Sequence, residues 1–442
     1  MTGKRKNHHE CESQASLSKP NEQADSETCR PGGWQRLKKR LLDHPGGFLA
    51  IMLCLFGAVY LIACGGDGEK FSTAKDNLSV VETSGEDDFS AEETSEEDDI
   101  SDEETSETTT VELAVTTDTF GAILSGGAEK WWGGVTGPDN NIYGIPHGAQ
   151  DILIIDPDSD YAIRSTLGAN LAEPSKWASG CLGPDGKIYG VPYNAEDVLI
   201  IDPVKGTAVR TDFGLNLSGD GKWAGAVLGR DKKIYCIPRK ATNILVIDPI
   251  EETAFLSSMG ANLEGIHKWN GGVLASNGKI YGIPRYATDI LIIDPATGTA
   301  SRSTMGAPLT SSHRFAGGVL APNGKIYGIP YTDSPDILII DPATNTASLD
   351  TMGADLSGSG WSEAILGPDN KIYTVPYTAS DMLIIDPAAG LAFRSAISDV
   401  AASSSGKWVM GDIVSSKEKY YGIPYTSQEI VRAEFIEVVE EE

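Results

Sequence analysis

The most regular feature of this chain is an aromatic residue that returns at a fixed interval and opens the same order of apolar and polar stretches. Six of these residues are spaced 46 residues apart and a seventh follows after 47. A fixed period of this length is the signature of a repeat architecture. The aromatic residues are Trp131, Trp177, Trp223, Trp269, Phe315, Trp361 and Trp408.

Within one repeat the apolar positions form short runs rather than a helical period. In the fourth repeat, residues 269–274, 280–284 and 289–295 are such runs, and a further run ends at Gly306. Asn277-Gly278 and Asp294-Pro295 interrupt them with residues that favour tight turns. Short apolar runs rich in β-branched residues and bounded by turn residues predict β-strands. Each repeat is therefore predicted to form four short antiparallel strands.

Four-stranded units at this period predict an all-β fold, a seven-bladed β-propeller. The first strand of most repeats carries paired glycines, such as Gly133-Gly134 and Gly271-Gly272, as expected where inner strands converge on an axis. The seventh repeat lacks a fourth strand. Residues 116–124 match residues 301–309, so an N-terminal strand is predicted to complete the last blade and to remove its open edge.

Two segments carry a family resemblance. VLAPNGKIYGIPY at residues 319–331 and LIIDPATNTA at residues 338–347 resemble the YVTN and NHL classes of propeller repeat. They look still more similar to a group of largely uncharacterised repeat proteins from unicellular algae. The resemblance covers about residues 111–439 and implies the propeller fold. It implies no single activity, because such propellers include binding proteins, scaffolds and a few enzymes.

The N-terminal quarter differs from the repeats in composition. Residues 1–45 form a polar, basic tail, and residues 46–64 form an uncharged apolar stretch of about the length that crosses a bilayer as a helix. Positive charge before this stretch and negative charge after it predict a signal anchor with a cytosolic N-terminus and an extracellular or lumenal propeller. Alternatively, residues 61–65 resemble a lipobox, in which Cys64 would carry a lipid anchor.

The formal net charge is −28, from 63 acidic and 35 basic residues, and the acids crowd into residues 65–110. Such a block repels itself and predicts a disordered stalk, and residues 440–442 form a short acidic tail. The acidic balance excludes a general nucleic-acid-binding protein. Asn77 in the stalk and Asn216 in the propeller lie in glycosylation sequons. Cys181 and Cys236 are predicted to be buried thiols rather than a disulfide.

Comparison of the repeats with one another locates candidate binding residues. The residue after the proline that ends the second strand differs between blades, although its surroundings repeat. The loops that follow are predicted to lie together on one end of the propeller, which we call the top face. Positions that packing does not fix are free for binding. These residues are His147, Tyr193, Arg239, Arg285, Tyr331, Tyr377 and Tyr425.

Two rings of opposite charge accompany them. The residue before the aromatic is basic in six blades: Lys130, Lys176, Lys222, Lys268, Arg314 and Lys407. The third strands begin with acids, among them Asp151, Asp197, Asp289, Asp336 and Asp381. One hypothesis pairs the two rings as blade-to-blade ion pairs. The other makes the basic ring an exposed rim that binds an anionic, hydroxyl-rich ligand such as an acidic glycan, with tyrosines stacking on sugar rings.

The catalytic signals are sparse. The chain contains no Gly-x-Ser-x-Gly, no His-Glu-x-x-His and no Walker loop. Glu363 replaces a small inner-strand residue, and with the acidic ring it could bind a divalent cation, as in gluconolactonase-type propellers, although that family's ligand set is not recognisable here. His147, His267 and His313 fall in top-face loops, where a metal site is the less favoured interpretation.

Three functions remain open from the sequence. A membrane-anchored binding or scaffold module that recognises a glycan or protein through its top face is favoured by the tyrosines and arginines. A metal-dependent hydrolase or lactonase would use Glu363 and the channel. A structural surface protein would suit the near-identical blades. No cofactor is expected apart from a structural Ca²⁺ ion, and nucleic acid is not an expected partner.

Overall fold

The described part of the chain consists of β-strands arranged in seven four-stranded antiparallel sheets. The computed structural model describes residues 108–125, 127, 129–311, 313–358, 360–397, 406–410 and 419–440. The predicted tail, anchor and nearly all of the stalk lie outside these ranges. Within them, no helix has the length and apolar character that a membrane span requires. The predicted seven-bladed β-propeller is confirmed.

Blades one to three each run from an inner to an outer strand in chain order. The strands of blade one are β2 (Trp131–Thr136), β3 (Ile142–Pro146), β4 (Ile152–Asp156) and β5 (Tyr161–Ser165). Those of blade two are β6 (Trp177–Leu182), β7 (Ile188–Pro192), β8 (Val198–Asp202) and β9 (Thr207–Thr211). Those of blade three are β10 (Trp223–Leu228), β11 (Ile234–Pro238), β12 (Ile244–Asp248) and β13 (Thr253–Ser257).

Blades four to six repeat this order. The strands of blade four are β14 (Trp269–Leu274), β15 (Ile280–Pro284), β16 (Ile290–Asp294) and β17 (Thr299–Ser303). Those of blade five are β18 (Phe315–Leu320), β19 (Ile326–Pro330), β20 (Ile337–Asp341) and β21 (Thr346–Asp350). Those of blade six are β22 (Trp361–Leu366), β23 (Ile372–Pro376), β24 (Asp381–Asp386) and β25 (Leu391–Ala396).

Blade seven is assembled from both ends of the propeller. Its strands β26 (Trp408–Met410), β27 (Lys419–Pro424) and β28 (Ile430–Glu440) are joined by β1 (Thr108–Asp118) as the outermost strand. β1 pairs with β28 along its whole length, from Thr108 opposite Glu440 to Asp118 opposite Ile430. The predicted closure by an N-terminal strand is confirmed. The strand begins three residues before the predicted boundary because β28 is long enough to pair with it.

The repeated aromatic residues form the core between the inner strands. Trp131 is fully buried, and its indole Nε1–H donates to the carbonyl of Asp151 at 2.8 Å. The bond recurs at Trp177, whose Nε1 lies 2.8 Å from the carbonyl of Asp197. A buried indole needs such an acceptor, and this explains why tryptophan rather than phenylalanine occupies six of the seven positions.

A bulge interrupts the inner strand of blades one to six. The register shifts between Trp131 and Gly134 in blade one, and at the equivalent position in the next five blades. Such a bulge re-aims the residues within it, which here line the central channel. Gly133 has φ of +75°, and a Cβ there would lie 3.1 Å from the Cα of Ser179 in the next blade. The expected small residues near the axis are therefore confirmed.

Both cysteines of the propeller are reduced thiols rather than a disulfide in the described structure. Cys236 is fully buried and Cys181 is half-buried, and both pack in the apolar cluster between blades two and three. Burial raises the pKa of the Cys236 thiol. Cys236 matches the predicted buried thiol, whereas Cys181 is more accessible than expected.

Candidate functional site

A cavity of about 350 Å³ opens on the top face around the propeller axis. Its volume lies at the lower end of the range for small-ligand sites. All seven residues predicted from the variable loop position line this one cavity: His147, Tyr193, Arg239, Arg285, Tyr331, Tyr377 and Tyr425. Residues that are about 46 positions apart in the chain are thus brought together in space.

One backbone hydrogen bond holds each of these residues at the same level along the propeller axis. The N–H of His147 donates to the carbonyl of Lys130 at 2.9 Å, and the N–H of Arg239 donates to the carbonyl of Lys222 at 2.8 Å. The equivalent bond occurs in all seven blades. Because the scaffold fixes the backbone, the side chain at this position is free to vary without loss of the fold.

The aromatic half of the cavity is built around Trp132. Its ring lies 5.0 Å from that of His147, 5.4 Å from that of Tyr193 and 5.7 Å from that of Tyr425, measured between centroids. Nδ1 of His147 lies 2.7 Å from the carbonyl oxygen of Trp177. Since a carbonyl only accepts, Nδ1 carries the proton. Burial lowers the pKa of His147, so the neutral ring keeps Nε2 as an acceptor.

Arg239 is held against this aromatic half. Its guanidinium carbon lies 5.2 Å from the ring centroid of Tyr193 and 5.9 Å from that of Trp132, and Nη1 donates to the Tyr193 hydroxyl. The residue is only 7 % exposed, and its Nε has no hydrogen-bond partner among the described residues. A buried donor without a partner is costly, and such groups often mark a site that a ligand or water completes.

Arg285 repeats this arrangement on the other half of the cavity. Its guanidinium carbon lies 4.0 Å from the ring centroid of Tyr331, which in turn lies 4.9 Å from the ring of Tyr377. The Nε of Arg285 is also buried without a partner in the described structure. No ion pair joins Arg239 or Arg285 to any described carboxylate. The cavity therefore presents two guanidinium charges that are stacked on aromatic rings and form no ion pair with the residues that the structure describes.

Sequence comparison of the loops missed the residues that the bulge turns toward the channel. Trp132, Asn270 and Ser362 line the cavity directly after the repeated aromatic residue. Nδ2 of Asn270 donates to the carbonyl of Ala316 at 2.6 Å, and its buried Oδ1 has no described partner. Other blades carry small apolar residues at this position: Ala178, Ala224, Ala316 and Val409. The same blade-to-blade comparison, applied one residue further on, would have found them.

Two carboxylates also line the cavity. Glu129 accepts a hydrogen bond from the hydroxyl of Tyr425, and burial together with this carboxylate raises the pKa of that tyrosine. Glu363 lines both this cavity and a second one of about 300 Å³, half of whose lining residues are glycine. Glu363 thus stands where the two halves of the central channel meet. Gly317 beside it leaves room, since a Cβ there would lie 3.2 Å from Cγ of Glu363.

The lysines of the basic ring do not form the exposed rim that the sequence suggested. Lys130, Lys176, Lys222, Lys268 and Lys407 are at most 5 % exposed. Nζ of Lys176 donates to the carbonyls of His147 at 3.1 Å and Ala149 at 2.7 Å, and also to that of Glu173. Lys222 and Lys268 make the same three bonds. An ammonium with three donors fits this ring of carbonyls, so these lysines tie each blade to the preceding loop.

Burial penalises the charged form of these ammonium groups. It lowers the pKa of Lys130, Lys176, Lys222 and Lys268 to about 8 and lowers that of Lys407 as well. Gly360 takes the lysine position in blade six, where a Cβ would come within 2.6 Å of the backbone N of Thr332. Arg314 takes it in blade five. Its guanidinium carbon instead lies 4.8 Å from the ring of Tyr286, with Nε unpartnered among the described residues.

The acidic ring also differs from the expected blade-to-blade pairs. Four of the five aspartates bind an arginine of the fourth strand of their own blade, as Asp151 binds Arg164 at 2.7 Å and Asp197 binds Arg210 at 2.8 Å. Asp289 and Asp381 do the same with Arg302 and Arg394. Lysine is absent from these pairs because its ammonium is already bound by backbone carbonyls. Asp336 faces Nε2 of His313 at 3.3 Å.

The predicted metal ligands are not brought together. In the ranges that the structure describes, no group of three His, Cys, Asp or Glu side chains is placed to hold a metal ion. This applies to the acidic ring with Glu363 and to His147, His267 and His313. A structural Ca²⁺ ion stays a prediction. Asn216 is exposed in the loop between blades two and three, so glycosylation there also stays a prediction, and Asn77 lies outside the described residues.

The fold is similar to that of several solved structures. Virginiamycin B lyase from Staphylococcus aureus is 12% identical with a TM-score of 0.59, covering 74% of this chain and 100% of its own. A streptogramin B lyase is 13% identical with a TM-score of 0.58, covering 73% of this chain and 98% of its own. The extracellular domain of a hybrid two-component system from B. thetaiotaomicron is 10% identical with a TM-score of 0.55, covering 73% of this chain and 42% of its own.

At these identities the similarity shows the propeller fold alone. No protein-family model matches the chain, and no curated protein matches it. The resemblance to repeat proteins of unicellular algae stays a prediction.

Proposed function

We propose that this chain is a recognition module that binds an acidic glycan in the top-face cavity without transforming it. The observation that carries the proposal is the pair Arg239 and Arg285. Each guanidinium is stacked on aromatic rings, lines the same cavity and has no ion pair with a described carboxylate. Guanidinium groups that have no ion pair with a described carboxylate favour a carboxylate or sulfate of a ligand, which they bind through two parallel hydrogen bonds.

The remaining wall of the cavity suits the sugar ring that would carry such an anion. The rings of Trp132, Tyr193 and Tyr331 offer apolar faces for the C–H groups of a sugar, and aromatic side chains combine apolar area with a polar group at the edge. Acceptors for hydroxyl groups lie between them: the Nε2 of neutral His147 and the Oδ1 of Asn270. An acidic peptide would use the guanidinium groups but would leave these acceptors less fully bonded.

The proposal includes a membrane tether. The uncharged stretch at residues 46–64 and its flanking charges support a signal anchor, and Cys64 supports the lipid-anchored alternative. Either would place the cavity on a non-cytosolic side, where acidic glycans occur as polymers and as conjugates on surfaces. A binding module on an acidic, self-repelling stalk would reach such ligands at a distance from the bilayer.

The test is equilibrium binding to a panel of uronate and sulfated oligosaccharides, followed by variants against the best ligand. Arg239→Ala and Arg285→Ala should each weaken binding by about 10- to 100-fold, because a charge-assisted hydrogen bond contributes about 1.5–3 kcal/mol. Arg230→Ala is the matched control, since Arg230 is exposed in a turn between β10 and β11. Circular dichroism would confirm that each variant keeps the fold.

Three results would contradict the proposal. Unchanged affinity in both arginine variants would place the ligand elsewhere. Binding of hexaglutamate with the same arginine dependence, and of no glycan, would replace the glycan with an acidic peptide. Shorter products in mass spectra of an incubated oligosaccharide would show an enzyme instead of a binding module.

A further inference from the structure

A second basic and aromatic cluster lies on the top face beside the cavity, formed by His267, Tyr286 and Arg314. The guanidinium carbon of Arg314 lies 4.8 Å from the ring centroid of Tyr286, and the ring of His267 lies 6.0 Å from the same ring. The three residues belong to the loop before blade four, the loop between β15 and β16, and the loop before blade five. None of them lines the cavity described above.

Two buried polar atoms of this cluster lack partners within the described structure. Nε of Arg314 and Nδ1 of His267 are both buried and form no hydrogen bond there. Arg314 also has no ion pair with a described carboxylate. Tyr286 is 40 % exposed, so its ring covers the guanidinium while part of its surface stays open to solvent. The pattern repeats that of Arg285 on Tyr331: a guanidinium without a counter-ion against a tyrosine ring.

The cluster lies within the electrostatic field of the cavity. Burial lowers the pKa of His267, and the charges of Arg239, Lys240, Arg285 and Lys268 lower it further. Two of those four cations line the cavity. His267 precedes Lys268, whose backbone N–H donates to the carbonyl of Arg239 at 2.9 Å, and Tyr286 directly follows Arg285, so the cluster adjoins the cavity. An anionic chain that leaves the cavity on this side would meet positive charge along its path.

We propose that the top-face site continues from the cavity onto His267, Tyr286 and Arg314, so that its ligand is an acidic oligosaccharide with at least two anionic residues. One anionic residue lies at Arg239 and Arg285. A second lies at Arg314, with its sugar ring against Tyr286. This inference rests on the proposed function and extends it from a single acidic sugar to a chain.

The identity of residue 314 supports this assignment. In blades two to four the equivalent lysine is turned inward and donates to three backbone carbonyls. An arginine has a planar fork of donors rather than a compact ammonium, and this fork matches a carboxylate. Blade five therefore places against the ring of Tyr286 a charge that those blades use to hold their loops.

The experiment uses galacturonic acid as monomer, dimer and tetramer, with calorimetry as the measurement. The wild-type chain should bind the tetramer about 10- to 100-fold more tightly than the monomer, because a second charge-assisted contact adds about 1.5–3 kcal/mol. Arg314→Ala and Tyr286→Ala should remove this gain and leave the monomer affinity unchanged. Arg314→Lys keeps the positive charge but lacks the planar guanidinium. This variant should show less than half of the wild-type difference in log affinity between tetramer and monomer. Arg230→Ala should behave as wild type.

An independent readout is the titration of His267 by NMR. The tetramer should raise the pKa of His267 more than the monomer does, because only the tetramer places an anion beside the His267 ring, and a nearby anion favours the protonated form. Equal affinity for monomer and tetramer, or a length gain that survives in Arg314→Ala and Tyr286→Ala, would overturn the second subsite and leave the proposed function standing. Binding of no uronate and of no sulfated oligosaccharide would overturn both.

Discussion

At the scale of single residues, the position before the repeated aromatic residue has two different roles. Lys176, Lys222 and Lys268 are buried and bind backbone carbonyls at this position. Arg314 occupies the same position in blade five, where its guanidinium stacks on the ring of Tyr286. The chemistry of the head group separates the two roles. A compact ammonium fits among three carbonyls, whereas a planar guanidinium stacks on an aromatic ring and can donate two parallel hydrogen bonds to a carboxylate.

Replacement of a buried lysine should therefore destabilise the fold. Lys176→Met would leave the carbonyls of His147, Ala149 and Glu173 without the Nζ donor. We expect a loss of about 1–3 kcal/mol in the free energy of unfolding, the usual cost of buried polar groups left unpaired. Urea denaturation monitored by tryptophan fluorescence measures it.

Lys205→Met is the control for this prediction. Its side chain is 71 % exposed and pairs with Asp202 in a surface turn, so the change should cost less than about 0.5 kcal/mol. Equal stability of the Lys176 and Lys205 variants would show that the carbonyl contacts do not hold the loops.

Several site residues could be predicted from the sequence, and others could not, for physical reasons. The loop residues from His147 to Tyr425 could be predicted because the residue type at this position varies between blades while the surrounding sequence repeats. The burial of Lys176 could not be read, because its carbonyl partners come partly from the preceding blade, about 27–29 residues earlier in the chain. Trp132 was missed because only the bulge in β2 turns it toward the axis.

At the scale of secondary structure, the closing blade differs most from the others. In blades one to three and six the second-strand tyrosine donates to an aspartate of its own turn, as Tyr143 does to Asp139 at 2.7 Å. Tyr421 in blade seven donates to Asp160 of blade one at 3.0 Å instead. Asp160 also accepts from Lys419 at 2.8 Å and lies 3.1 Å from Arg432. One carboxylate thus joins the last blade to the first.

We predict that Asp160→Asn weakens this junction at neutral pH and has little effect in acid. Burial raises the pKa of Asp160, but the hydrogen bonds from Lys419 and Tyr421 and the charge of Arg432 outweigh it, so the net pKa is lowered. A carboxylate whose folded pKa is lowered stabilises the fold above its unfolded pKa. That contribution is lost as the pH falls through the folded value.

The expected loss at pH 7 is about 1–2 kcal/mol, between the values for exposed and buried ion pairs, because Asp160 is about a third exposed. Urea denaturation at pH 7 and in acid measures the difference between wild type and variant. Glu251→Gln, an exposed acid in the corresponding turn of blade three, should show no such pH dependence. If the stability difference between wild type and Asp160→Asn persists in acid, the contacts of Asp160 act through side-chain packing rather than through charge.

The strands themselves could be predicted almost completely. The 46-residue period, the turn residues and the strand that blade seven lacks indicate seven blades and their closure, because propeller blades are local in sequence. The role of Asp160 could not be predicted, since its partners in blade seven lie about 260 residues away in the chain.

At the scale of the whole molecule, the proposed tether is tested by fractionation of the full chain. The signal-anchor hypothesis predicts recovery in the membrane fraction after alkaline extraction, and it predicts that Cys64→Ala leaves this recovery unchanged. Loss of membrane recovery in Cys64→Ala would favour the lipid anchor. Asn77→Gln is a neutral control in the same region. Recovery of the unmodified chain in the soluble fraction would contradict both forms of the tether.

The top face shows how the repeated scaffold and the variable residues are arranged relative to each other. Seven nearly identical blades hold histidine, tyrosine or arginine at seven equivalent positions around one cavity, and the two arginines have no ion pair with a described carboxylate. A ring scaffold of this kind separates the residues that fold the chain from those that bind. The central claim is that the cavity selects its ligand by negative charge.

The most direct test compares tetragalacturonic acid with its methyl ester by calorimetry. The two ligands share sugar rings and hydroxyl groups, and they differ at the carboxyl groups, which are charged in the acid and uncharged methyl esters in the ester. The account predicts that the acid binds at least about tenfold more tightly, since the ester forfeits charge-assisted bonds to Arg239 and Arg285 that contribute about 1.5–3 kcal/mol each. Equal binding of acid and ester would contradict it, and the cavity would then be an aromatic site in which the arginines serve the fold.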